Sequence, residues 1–278
     1  MSDITLTSSM RSNLLTLRNT SVLMDRTQDR LATGKKVNTA LDNPLSFFTA
    51  KSLNTRAGDL NELMDGMGQA IQTIKAADHG INAITRLVQQ GRALVNTAMD
   101  ENDAAQRAIL AGQFDTVMTQ LDQISTNRDA GYKGVNLLDG DTLTVNFNES
   151  RTSQLTIQTT LADFTSGTTG LDIGTAGQAT NAWALAANME NDLDSLDAAL
   201  LTLRAEASAM AQNLSIVNTY QDFTQNMIDT LTEGADKLVL ADMNEEAANM
   251  LSLQVRQQLG TNSLSLASQA QQSILRLF

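Results

Sequence analysis

Leu53, Leu60, Met67, Ile74, Ile81, Val88 and Val95 recur every seven residues without a miss. Three positions after each lie Arg56, Leu63, Ala70, Ala77, Ile84, Gly91 and Ala98. Two rows in a seven-residue register mark one packed face of an α-helix. The small residues of the second row let a neighbouring helix approach closely. Asn43 and Pro44 suit an N-cap and first helical position, so the pattern predicts a helix over 44–99, roughly 84 Å long at 1.5 Å per residue. A second series alternates steps of three and four: Leu193, Leu196, Leu200, Leu203, Ala207, Met210, Leu214, Val217, Gln221, Thr224, Ile228, Leu231, Ala235 and Leu238. It predicts a coiled-coil-like helix over 186–238 with polar breaks at Gln221 and Thr224. Two helices of roughly 80 Å each describe a rod rather than a compact globule.

A shorter amphipathic helix carries Leu110, Phe114, Val117, Leu121 and Ile124 and ends near Gly131. The polar run 100–104 predicts a reversal that lays it antiparallel on the first long helix. Leu143-Thr144-Val145-Asn146-Phe147 and Leu155-Thr156-Ile157-Gln158 alternate apolar with polar side chains around Asn148–Arg151, which predicts a β-hairpin. Residues 165–170 and 174–177 read as loop, and this non-helical insert is expected at the far end of the rod. At the amino end Leu14, Leu17, Met24 and Leu31 keep helical spacing. At the carboxy end Leu251, Val255, Leu259, Leu264, Ile274, Leu277 and Phe278 surround more than one side of a nearly uncharged segment. Helices apolar on several faces need several partners, so the termini are expected to be poorly ordered alone and to fold when subunits associate.

Composition narrows the chemistry. The 278 residues include no Cys, one His and one Pro, with aromatics at 4%. Disulfides, thiolate metal sites and a Cys nucleophile are excluded, and a histidine cluster cannot form. Uninterrupted helices are permitted, and no run is apolar enough to span a membrane. Net charge is −12, but residues 1–57 carry +4, residues 247–278 carry +2 and the middle carries −18. An acidic body repels phosphates, so nucleic acid is not an expected partner. Residues 1–7 lack a basic segment followed by an apolar core, and export by a route other than the general secretory one is expected.

The carboxy end carries the most specific motif. Gln257-Gln258-Leu259-Gly260-Thr261-Asn262-Ser263-Leu264 leads through Ala267 and Gln269 to Gln272-Ser273-Ile274-Leu275-Arg276-Leu277. This resembles the ending of bacterial flagellins, as Asn249-Met250 resembles the pair before it. Arg30-Leu31-Ala32-Thr33-Gly34-Lys35-Lys36-Val37-Asn38, with Ala40 and Asp42 after it, is similar to another family segment. So are Tyr132-Lys133-Gly134-Val135-Asn136-Leu137-Leu138 and Leu203-Arg204-Ala205-Glu206. The likeness covers about 1–140 and 180–278. Asn43-Pro44 and Phe47-Phe48 replace small residues usual in the family. Gly91 opens the Gly91–Asn96 segment where the family has an Arg read by an animal innate immune receptor, which argues against that recognition.

The resemblance implies a mainly α fold, an elongated antiparallel helical rod with coiled-coil termini and a small insert containing the β-hairpin. It implies a core of 1–43 with 247–278, a rod of 44–139 with 181–246 and an outward insert of 140–180. It implies a homopolymer with no cofactor and no membrane partner, and dealings with an export apparatus and chaperone, a filament cap and hook–filament junction proteins. Arg30, Gly34, Asn38, Asp42, Gly134 and Gly260 are its motif positions. Leu60, Met67, Ile74, Ile81, Val88, Val95, Leu196, Leu203, Met210 and Val217 are expected to pack the rod. A junction protein and a soluble enzyme with a coiled-coil stalk are the alternatives.

Other candidates have plainer readings. His79 and the acidic run Glu190, Asp192, Asp194 and Asp197 read as solvated faces, since Gly and Glu are missing from the places a calcium loop requires. Thr165, Ser166, Thr168 and Thr169 are candidate glycan acceptors within an otherwise solvated loop. No Ser-His-Asp set or Gly-rich phosphate loop can be assembled.

Overall fold

The computed structural model describes residues 8–126 and 131–275. Five helices, α1 (Ser8–Thr33), α2 (Pro44–Met99), α3 (Ala104–Thr126), α4 (Ala186–Val239) and α5 (Met243–Leu275), account for most of them. The strands β1 (Leu143–Asn146) and β2 (Gln154–Ile157) form one antiparallel hairpin, with Leu143 opposite Ile157 and Asn146 opposite Gln154. The helix expected over 44–99 is therefore present in full. Its start is fixed by Asn43, whose Oδ1 accepts from the Ser46 amide at 3.1 Å, with Pro44 at the first helical position.

The chain divides into two compact units, 1–57 with 229–278 and 58–228. In the first, α1 pairs with α5. The chain leaves α1 through Gly34, whose φ of +69° suits a residue without a Cβ. Beyond it, the Lys36 amide donates to the Val239 carbonyl at 2.7 Å and the Ala241 amide to the Gly34 carbonyl at 3.0 Å. These bonds tie the α1–α2 connection to the α4–α5 break. Asp242 then caps α5 through the Asn244 amide at 2.9 Å.

In the second unit one core runs between α2, α3 and α4. Met67, Ile74, Ile81, Val88 and Val95 from α2 are buried there with Phe114, Met118 and Leu121 from α3, and Leu196, Leu203, Met210 and Val217 from α4. Leu60 is buried as well. Gly91 is buried at the α2–α3 contact, where a Cβ would stand 2.9 Å from Met118 Cε and 3.1 Å from Phe114 Cε2.

The insert differs from expectation in two ways. It does not sit at one end. The hairpin lies beside Asp59, Glu62 and Leu63 of α2, whereas the Ala179 amide near the other end of the insert donates to Asp115 of α3 at 2.7 Å. Its loops are also packed rather than solvated. Phe164, Ile173 and Trp183 are fully buried, and Phe147 stacks on Tyr220 of α4 with ring centroids 3.8 Å apart. Polar ties make this possible: the Asn136 amide group donates to the Ser125 carbonyl at 2.7 Å, and the Ser166 amide donates to Asp122 at 2.6 Å. Backbone groups in buried loops need such partners.

Candidate assembly surfaces

The α1–α5 pair makes its internal contact with modest side chains. Met10, Thr20 and Thr27 of α1 and Leu253 of α5 are buried, and Leu17 closes over Gly260, where a Cβ would meet its Cγ at 3.0 Å. The pair is locked by Arg30, whose Nη1 lies 2.7 Å from Oε1 of the buried Glu246, and by Asn13 donating to Ser263 at 3.3 Å. The large apolar residues largely face outward. Leu251 is 65% and Leu259 63% exposed, and Leu14 and Val255 are exposed too. Leu17, Met24, Leu31 and Leu264 are half-buried. Leu277 and Phe278, and the side chain of Ile274, lie outside the described residues. An extended row of exposed apolar side chains on a paired helix is a surface for association.

The segment that follows α1 is organised by Asp42. Its Oδ2 accepts from the Asn38 amide at 3.1 Å, the Thr39 amide at 2.9 Å and the Thr39 hydroxyl at 3.1 Å. The Thr39 and Asn38 amides are the main reasons its carboxyl is held below the usual carboxylate range, assisted by the Thr39 hydroxyl and by Arg26. Arg30, Gly34, Asn38 and Asp42 thus fall in one short stretch with distinct duties. Gly134 lies in the second unit, in the turn where Tyr132 and Val135 bridge, with φ +80°. Gly260 lies on α5.

Asp192 and Ser166 are placed differently from expectation. Asp192 is not on a solvated face. It is fully buried and accepts from the Thr180 amide at 2.9 Å, the Thr180 hydroxyl and the Trp183 indole N–H at 2.7 Å. The signal was present in the sequence: Met189, Asp192, Leu196, Ala199 and Leu203 step by three and four, and all are buried. Glu206 continues that row, is buried, and accepts from the Thr160 amide at 3.0 Å and from its hydroxyl. Ser166, expected to be a solvated glycan acceptor, is buried. At 1% exposure its hydroxyl cannot take a glycan on the folded chain, because the loop folds inward around it. Thr168 and Thr169 are exposed, Thr165 is half-buried, and both Thr165 and Thr169 donate to Asp163. His79 is exposed, as expected. Among the described residues no group of His, Cys, Asp and Glu is arranged to hold a metal, and no helix is long and apolar enough to cross a membrane.

The fold and these surfaces are those of a helical structural protein. The bacterial flagellin N-terminal helical region matches residues 4–143, and the bacterial flagellin C-terminal helical region matches residues 193–278. Flagellin FljM of Caulobacter vibrioides is 32% identical over 95% of this chain and 94% of its own. A flagellin of Brucella melitensis is 29% identical over 100% and 99%. The crystal structure of Bacillus cereus flagellin aligns with a TM-score of 0.48 at 17% identity, over 57% of this chain and 88% of that one. The chain belongs to the bacterial flagellin family.

Proposed function

We propose that this chain is a filament subunit of the bacterial flagellum whose α1–α5 pair becomes the filament core. The carrying observation is the exposed apolar row of Leu14, Leu251, Val255 and Leu259 on a helix pair already locked internally by Arg30 and Glu246. Burying such side chains stabilises by about 25 cal/mol per Å² of apolar surface, and further copies of the chain supply the cover. Contacts between unlike faces repeat as an open helix instead of closing a ring. In this reading 1–43 and 247–278 form the core, 44–139 and 181–246 form the rod, and 140–180 faces outward. The role is structural, not enzymatic. The subunit travels unfolded through an export apparatus with its chaperone and adds beneath a cap, beyond hook–filament junction proteins, into an extracellular filament. A chain without Cys suits that passage, since no disulfide can trap it.

The test is electron microscopy of purified full-length chain added to filament seeds, beside a variant lacking 251–278. The full chain is expected to grow long filaments and the truncated one to add none. Ordinary filaments from the truncated chain, or a full chain that stays monodisperse, would overturn the proposal.

A further inference from the structure

A second pair of surfaces, apart from the α1–α5 row, has complementary chemistry. The first is a groove of about 390 Å³ in the unit formed by 1–57 and 229–278. Val37, Phe47, Ala50 and Val239 give it an apolar lining, and Lys35 and Lys51 flank it. Neither ammonium group has a partner among the described residues. The exposed Phe48 packs edge-on against Phe47, with ring centroids 5.5 Å apart.

The second surface is the α2–α3 turn of the other unit. Met99, Asp100 and Asp103 are exposed there, with Glu101 half-buried. The turn is firmly built. Glu101 accepts from the Asp103 amide and Asp103 from the Ala105 amide, at 3.0 and 2.9 Å. Arg107 donates to the carbonyls of Glu101, Asn102, Trp183 and Ala184. That guanidinium brings residue 184 beside the turn, so the exposed Leu185 joins Met99 at the same tip. Among the described residues the Asp100 side chain has no partner.

An apolar groove flanked by cations thus has its counterpart in an apolar tip rimmed by anions. The charge of the units points the same way. Residues 58–228 carry a net −13, whereas 1–57 with 229–278 carry +1. An acidic tip is repelled by another acidic unit and finds uncompensated positive charge at Lys35 and Lys51. The groove belongs to one unit and the tip to the other. The geometry points to a head-to-tail contact in which the Lys35–Lys51 groove of one copy receives the Met99–Asp103 tip of the next. This rests on the filament reading above. The contact joins unlike faces, leaves one groove and one tip open at the ends, and therefore propagates. It also gives a use to Phe47 and Phe48, which stand where the family has small residues.

Charge reversal tests it. Lys35→Glu with Lys51→Glu makes groove and tip both acidic; Asp100→Lys with Glu101→Lys makes both basic. At low ionic strength each variant alone is expected to elongate wild-type seeds at least about tenfold more slowly than wild type, since charge complementarity acts mainly on association rate. An equimolar mixture is expected to recover growth, because each groove then meets a tip of opposite sign. Added salt should narrow the deficit. Circular dichroism checks that each variant keeps its helices. If the Glu variant loses them, the neutral Lys35→Gln with Lys51→Gln variant decides, with intermediate growth supporting the contact and wild-type growth overturning it. Wild-type rates from either reversed variant, or a mixture no faster than its components, would also overturn it. Wild-type chain that does not extend seeds would instead sink the filament reading.

Discussion

Asp192→Ala is expected to destabilise residues 58–228 by about 3–5 kcal/mol, because a single carboxylate organises the end of the insert. It accepts from the Thr180 amide and hydroxyl and from the Trp183 indole N–H. After Thr180 the chain passes through three consecutive left-handed conformations, Asn181, Ala182 and Trp183 itself, at φ of 48°, 49° and 59°. Each opposes folding by about 1–2 kcal/mol in a residue with a Cβ, so the turn persists only because both its ends are held. Hydrogen bonds to a charged acceptor contribute about 1.5–3 kcal/mol each, and a buried donor left without a partner costs about 1–3. Truncation removes all three bonds and strands the fully buried indole; relaxation of the strained turn returns part of the loss. Trp183 is the only tryptophan, so its fluorescence during urea unfolding reports on this unit directly. A lower urea midpoint is expected, with native-state emission shifted to the red as the indole meets water. The exposed neighbour Asp194→Ala should stay within about 0.5 kcal/mol of wild type. An Asp192→Ala chain within about 1 kcal/mol of wild type and with unchanged emission would refute the argument, since three bonds to a buried carboxylate cannot vanish at so small a penalty.

Gly91→Val is expected to lower stability by about 1–3 kcal/mol, because its Cβ alone already crowds Met118 and Phe114; thermal melting of the unpolymerised chain measures it, and an unchanged midpoint would contradict the packing. For Asp42 the folded carboxyl lies below its ordinary value of 3.8, so its bonds help the 38–42 turn above that pH and are lost as pH falls through the lower folded value. Protection of the Asn38 and Thr39 amides, their exchange measured against the intrinsic rate at each pH, should therefore fall on acidification below about 4, and Asp42→Asn should abolish that fall; an equal fall in both chains would count against it.

The sequence alone determined where the helices run. Their signal is local, since a residue's place on a helix face follows from its spacing to neighbours three and four positions away. Pro44 and the polar turn at 100–104 therefore marked the ends of α2 and the start of α3, and alternation marked the hairpin. The motif at 257–277 carried the family likeness for the same reason, being one continuous stretch. Only the tertiary structure decided which polar residues are buried. Asp192 and Glu206 occupy core positions in a three-and-four row, but whether such a carboxylate is tolerated depends on donors that no helical period marks: Thr180 and Trp183 from the irregular turn before α4, and Thr160, 46 residues before Glu206. The burial of Ser166 is not legible in the sequence because an irregular loop has no period by which to tell inside from outside. Pattern predicts where an apolar side chain wants to go; a buried charge depends on partners that folding alone brings within about 3 Å of it.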